Sequence, residues 1–258
     1  FGESAGGRNV YSLLLSPLAE GLFDRAIVQS GVLATTDPDR AEQYVSEGGH
    51  HNSSREVLVR LLHADGHAET REEALTVLGT MNDTAIERYL REQSPEQLME
   101  AVEASELGMP LDPPRVFADG TVLPSDDPRT VLRDPDRYND VPVITGTNRD
   151  ETKIFLSQDP RWMTRILGLI PRLHEPQLYE VVAEYTSRQW KAHAVDEPAR
   201  ILRQTQDHVY AYRFDWDEFP TLMGADLSNI LGASHGFEIP FVLGDFEFGG
   251  EMADFLFT

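Results

Sequence analysis

The residues with the clearest chemistry are Gly2-Glu3-Ser4-Ala5-Gly6, which fit the pattern G-x-S-x-G. That pattern holds a serine on a strained strand-to-helix turn, with its hydroxyl lifted clear of the backbone. A serine hydroxyl is a weak nucleophile at neutral pH and needs a histidine within hydrogen-bond reach, itself oriented by a carboxylate. The chain offers these groups in the order serine, acid, histidine. Asp150 and Glu151 follow the short apolar run 141–146, and His235 lies between Gly232 and Gly236 with no helical apolar face to account for it. Spacing alone leaves Asp150 and Glu151 as equal candidates for the acid.

These residues need elements to position them. Residues 5–15 carry Val10, Leu13 and Leu14 at helical spacing and stop at Ser16-Pro17. Residues 25–31 then read as a short buried strand ending in a glycine turn, so turn, helix and strand form a right-handed crossover unit. Residues 37–114 are helical and polar-rich, with helices expected near 55–64, 71–81 and 84–92. Ser94-Pro95-Glu96-Gln97 supplies a capping box for another. This block reads as a helical insertion or lid over a sheet. Asp119-Gly120 between apolar runs signals a turn or hairpin over 116–124. Residues 141–146 look like a central parallel strand, 176–203 like a helical stretch, and 208–214 like a further strand. Residues 231–240 read as a glycine-flanked loop entering another element. Strands alternating with helices indicate an α/β fold, in which ligands gather at the carboxyl ends of the strands.

Composition narrows the partners. The 258 residues carry a formal charge of -22, which argues against nucleic acid, because a polyanion is repelled and counterion release needs a basic patch. No apolar run approaches the roughly 18 to 20 residues of a membrane span. With no cysteine, disulfides, thiolate catalysis and cysteine metal sites are excluded. Lys153 and Lys191 are the two lysines among 22 basic residues, and neither this bias nor the rest of the composition fixes the compartment or the oligomeric state. His50-His51 lacks the spacing of a metal motif and reads as a solvated loop. Asp134 and Asp136 lack the glycine and final glutamate of a calcium loop. No metal site is expected. Trp190, Tyr210 and Tyr212 read as core and strand packing.

Six stretches together resemble the type B carboxylesterase family, which includes cholinesterase-like and bacterial para-nitrobenzyl-type esterases. They are FGESAGG at 1–7, FDRAIVQSG at 23–31, FADGTVLP at 117–124, VPVITGTNRDE at 141–151, VYAYRFDW at 209–216 and GASHGFEIPFVLG at 232–244. The resemblance implies an α/β-hydrolase fold, of which this chain is the C-terminal part, and settles the acid as Glu151. It implies a serine carboxylic-ester hydrolase with Ser4 as nucleophile, His235 as base and an acyl-enzyme intermediate. No cofactor is implied, and the implied partner is a small-molecule ester.

One oxyanion donor is expected from the N–H of Ala5. The others, in this family, come from a Gly-Gly segment upstream of the serine, which this chain does not contain. Family members are also longer, so the chain is expected to be a fragment, and on its own a poorly active one. Glu3 and Glu238 match positions that the family uses in a hydrogen-bonded network behind the site, and Ser30 matches a serine near the catalytic histidine. The competing expectation is a non-catalytic adhesion or binding module, since the family contains such proteins. The presence of Ser4, Glu151 and His235 together weighs against it.

Overall fold

Short runs of β-branched and apolar residues flanked by glycine form the sheet, and the intervening amphipathic segments form the helices. The computed structural model describes residues 1–103, 112 and 114–244. The part of the expected helical block at 104–111 and 113 lies outside them. The chain divides into two units, one made of Phe1–Ala34 with Gly120–Thr258 and the other of Thr35–Asp119.

Among the described residues, the first unit is built on a four-stranded parallel sheet. Strand β1 (Gly2–Glu3) pairs with β2 (Ala26–Gln29), β2 with β3 (Val143–Asn148), and β3 with the strand Val209–Phe214. Helix α1 (Ala5–Leu15) follows β1 and buries Gly7, Val10, Tyr11, Leu14 and Leu15. Parallel pairing without a short turn requires such a crossover helix. The strands are not buried on both faces as the apolar runs suggest. Val28, Val143 and Thr145 are buried, while Ile27, Ile144 and Tyr210, which lie side by side in register, are exposed.

Residues 176–202 are helical throughout, as expected, but the winding changes part-way. An α-helix runs over Pro176–Lys191, a π-type turn over Ala192–Asp196, and a second helix over Glu197–Leu202. The cause is Pro198, which has no N–H to offer the carbonyl four residues back and whose ring crowds it. That carbonyl belongs to Ala194. It accepts instead from the Tyr11 hydroxyl at 2.8 Å and from the Thr145 hydroxyl at 3.2 Å. A change of winding within the helix thus becomes its tie to α1 and to β3.

The second unit contains helices Pro38–Glu42, Ser54–Ala64, Arg71–Thr80, Asp83–Glu92 and Pro95–Glu100. Ser53, Thr70, Asn82 and Ser94 each cap the helix that follows by accepting from its first turn, and Gln97 completes the box at Ser94. Leu58, Val59, Leu62, Ala68, Ala74 and Leu78 form its core. The buried carboxylate of Glu56 is held by both terminal nitrogens of Arg71, at 2.5 and 2.7 Å. The stretch 116–124 forms no hairpin: Phe117 bridges to Thr36, and the chain turns at Gly120, whose φ is 72°.

Candidate active site

The turn at Ser4 is strained, and its neighbours show why glycine is required around it. Ser4 has φ 56° and ψ −113°, a conformation that costs a non-glycine residue of order 1–3 kcal/mol. The pairing of β1 with β2 imposes it: the Ser4 N–H donates to the Gln29 carbonyl at 2.9 Å, while the Ser4 carbonyl already accepts from Arg8 as α1 begins. A Cβ on Gly2 would lie 2.4 Å from the Gly6 carbonyl carbon, so the chain reverses tightly only with hydrogen at that position. The Ser4 side chain makes no capping bond to its helix. Ala5 is the first helical residue, so its N–H has no acceptor within the helix.

Glu151 and His235 come together at the carboxyl end of β3. His235 Nδ1 lies 2.6 Å from Glu151 Oε2, and the backbone N–H of His235 donates to the Glu151 carbonyl at 3.4 Å. The other oxygen of Glu151, Oε1, accepts from the Ser30 hydroxyl and the Thr147 hydroxyl at 2.6 Å each and from the Asn148 N–H at 2.7 Å. Glu151 has no solvent exposure. Burial pushes its pKa up, but the hydrogen bond and charge of His235, with the two hydroxyls, hold it below the ordinary carboxylate range.

Burial alone would lower the pKa of His235. The bond to Glu151 and the charges of Glu151, Glu3 and Glu238 outweigh it and hold the imidazole above its ordinary value. The folded chain therefore keeps the His235 proton more tightly than the unfolded chain does. This pairing stabilises the fold fully below about pH 6.5, the unfolded imidazole value, and the benefit fades as pH rises through the raised value. Glu151 behaves oppositely: its contribution is present above the unfolded carboxyl value and is lost as pH falls. An NMR titration is expected to place the His235 midpoint above 6.5; a midpoint at or below it would sink the assignment of Glu151 as an ionised partner.

The structure does not join Ser4 to His235 by a hydrogen bond. His235 Nε2 is buried and bonds to nothing among the described residues, and the nearest acidic atom is Glu3 Oε1 at 3.2 Å. Glu3 is pushed up to about 7, chiefly by burial, with the charge of His235 pulling it down and Glu238 and Glu151 adding to the rise. Glu238, also buried, accepts from Gln29 Nε2 at 3.3 Å and from Asn148 Nδ2 at 2.6 Å. Three carboxylates thus surround one imidazole. Ser30, with φ 51°, is held by its N–H to the Gly146 carbonyl at 2.8 Å.

Asp150, the other acid that spacing allowed, does not touch His235. Its Oδ2 accepts the Ala233 N–H at 3.0 Å and pairs with Arg149. His50, His51 and Asp112 gather in the second unit, with His51 Nε2 3.4 Å from Asp112. They form a partly buried polar cluster, where the sequence suggested a solvated loop. Nδ1 of His50 accepts the Asn52 N–H at 3.0 Å, which places the neutral ring's proton on Nε2. A histidine that binds metal through Nε2 donates from Nδ1 instead. Arg115 also pairs with Asp112, so the arrangement suits a polar cluster better than a cation site.

The model of the carboxylesterase family matches residues 1–168, well over half of the chain. The chain belongs to this carboxylesterase family. It is 26% identical over 265 residues to the para-nitrobenzyl esterase of Bacillus subtilis (strain 168), covering 96% of this chain and 46% of that protein. It is 37% identical over 105 residues to carboxylesterase 1C of Rattus norvegicus, covering 38% of this chain and 19% of that protein. Among solved structures, a PNB esterase superposes with a TM-score of 0.56 at 23% identity, over 95% of this chain and 46% of the other, which shows the α/β-hydrolase fold. A thermophilic PNB esterase gives 0.52 at 25% identity over the same shares. The chain spans about half the length of the PNB esterases it matches.

Several groups of this candidate site escaped sequence reasoning. Thr147, Asn148 and Gln29 hold the carboxylates; all three lie in the stretches that carry the resemblance, but nothing in their spacing shows that they would do so. Trp190 is more than packing: its ring lies 4.9 Å from that of His235, and its Nε1 donates to the Ser30 carbonyl at 3.2 Å. Phe155 completes the wall at 5.4 Å. Helical spacing shows that Trp190 lies on a buried side and cannot show what it meets there.

Proposed function

We propose that this chain carries the nucleophile, base and acid of a serine carboxylic-ester hydrolase. The observation that carries the reading is the buried Glu151–His235 pair at the carboxyl end of β3, in the same parallel sheet as β1, which leads into the strained Ser4 turn. In the reaction His235 Nε2 takes the Ser4 proton as Oγ attacks the ester carbonyl carbon. The oxyanion forms against the N–H of Ala5 at the start of α1. His235 then gives its proton to the departing alcohol oxygen, leaving Ser4 acylated, and water repeats the sequence to release the acid.

Glu151 keeps the Nδ1 proton in place, so Nε2 is the basic nitrogen. An ionised Glu3 beside Nε2 favours the imidazolium that forms. For Ser4 to reach Nε2, its hydroxyl has to take the place beside the imidazole that Glu3 Oε1 now borders. The substrate is a small ester; the para-nitrobenzyl esters named for its relatives are the natural first probes.

The test uses the protein expressed at its full natural length. A para-nitrophenyl ester is expected to give a burst of phenolate followed by steady turnover, and an organophosphonate is expected to add once, to Ser4. Ser4→Ala should abolish all three. Unchanged turnover in Ser4→Ala would overturn the assignment, whereas a folded native protein that neither turns over nor labels is a binding module.

A further inference from the structure

The loop that carries His235 is held by three rungs. Asn148 Nδ2 donates to the Ser234 carbonyl at 2.6 Å, the His235 N–H donates to the Glu151 carbonyl, and Asp150 pairs twice with Ala233. In that last rung the Asp150 N–H donates to the Ala233 carbonyl at 3.0 Å, while Asp150 Oδ2 accepts the Ala233 N–H at 3.0 Å. The rung at Asp150 differs from the others in using a charged side chain as a spacer. Gly232 has φ 56°, and a Cβ there would lie 2.3 Å from Asp150 Oδ2. The carboxylate occupies the volume that any other residue would fill. It is fixed from behind by Arg149, whose Nε reaches Oδ2 at 2.9 Å and whose guanidinium also bonds to Asp217 and, at 3.3 Å, to the Asp215 carbonyl.

We propose that Asp150 is the positioning residue for His235: gripped by Arg149 and seated in the space that Gly232 leaves empty, its carboxylate sets how deeply the 232–235 turn enters the site. The proposal rests on the reading of His235 as the base and adds a second acid to it with a separate task. Glu151 orients the ring, and Asp150 sets the height of the backbone from which the ring hangs. Adjacent acids in one run thus act on adjacent parts of the same loop. A displacement of about 1 Å at a catalytic group can cost about 100-fold in rate.

Asp150→Ala and Asp150→Asn separate position from charge. Both remove the charge, and only asparagine keeps an oxygen for the Ala233 N–H. The first readout is the low-field proton NMR signal of the His235 Nδ1–H, which needs no turnover. It is expected to shift upfield or broaden away in Asp150→Ala and to stay near its native position in Asp150→Asn. In kinetics Asp150→Ala should lose about 100-fold in kcat with little change in KM, and Asp150→Asn should recover most of that loss. A native Nδ1–H signal in Asp150→Ala overturns the proposal, as does equal damage in the two variants.

If Asp150→Ala does not fold, Gly232→Ala gives the same test from the other side of the contact, with the same signal loss expected and a native signal overturning. Ser4→Ala, measured alongside, keeps the two questions apart. Its continued turnover would remove the catalytic reading, while the NMR signal would still decide whether Asp150 places His235.

Discussion

Glu151→Gln is expected to lower kcat about 10⁴-fold while leaving the outline of the site in place, the size of loss that follows when a triad carboxylate becomes an amide. Glutamine has the same shape, and neither of its two orientations fits. With the amide nitrogen at the Oε2 position, two donors face each other at His235 Nδ1. The ring then escapes only by moving its proton to Nε2, which leaves no base for Ser4. With the nitrogen at the Oε1 position, it confronts the Ser30 and Thr147 hydroxyls and the Asn148 N–H, all of which now donate to one oxygen. Each buried donor left without an acceptor costs roughly 1–3 kcal/mol, so the melting temperature should fall with activity. Steady-state kinetics on a para-nitrophenyl ester and a thermal melt measure both. A glutamine variant that keeps native kcat would show that Glu151 does not orient the base.

Gly31→Ala should be among the more damaging methyl groups in the first unit. Its Cβ would stand 2.5 Å from the Gly7 carbonyl carbon and 2.8 Å from the Gly7 Cα, and a Cβ on Gly7 would stand 2.7 Å from the Gln29 carbonyl oxygen and 2.9 Å from the Gly31 Cα. Both sides of the contact are backbone, so no side chain can swing away. Relief requires α1 to lift from the end of β2, and α1 begins at Ser4. Overpacking of a tight core costs about 1–3 kcal/mol, with the upper end expected where only backbone can yield. That is a large share of the roughly 5–15 kcal/mol that holds a domain together. Urea unfolding gives the value, and a change within about 0.5 kcal/mol, the scale of a neutral surface substitution, would show that α1 is not seated by this pair of glycines.

What the sequence made legible follows from what is local. The glycines around Ser4 are explained by contacts within a few residues or on the adjoining strand, and the capped helices of the second unit begin where Ser, Thr and Asn precede an apolar pattern. The resemblance favoured Glu151 over Asp150, where spacing could not, and Glu151 is the acid that bonds to His235. What stayed hidden was tertiary. Nothing local shows that Trp190 faces His235 across 45 residues of chain, or that Asp150 turns away from the histidine to hold its loop. The change of winding at Ala192–Asp196 was legible in principle, since Pro198 stands inside the helical pattern. The destination of the released carbonyl was not.

That released carbonyl also bears on how the molecule assembles. Tyr11 and Ala194 are separated by 183 residues, yet their hydrogen bond joins the first helix to a segment near the far end of the described chain. Contacts of such long span carry the loop-closure entropy before they return any stabilisation, which slows folding and leaves sheet surface uncovered in the meantime. On the ribosome, α1 emerges long before its partner, so the first unit is expected to finish folding only after translation has passed residue 194.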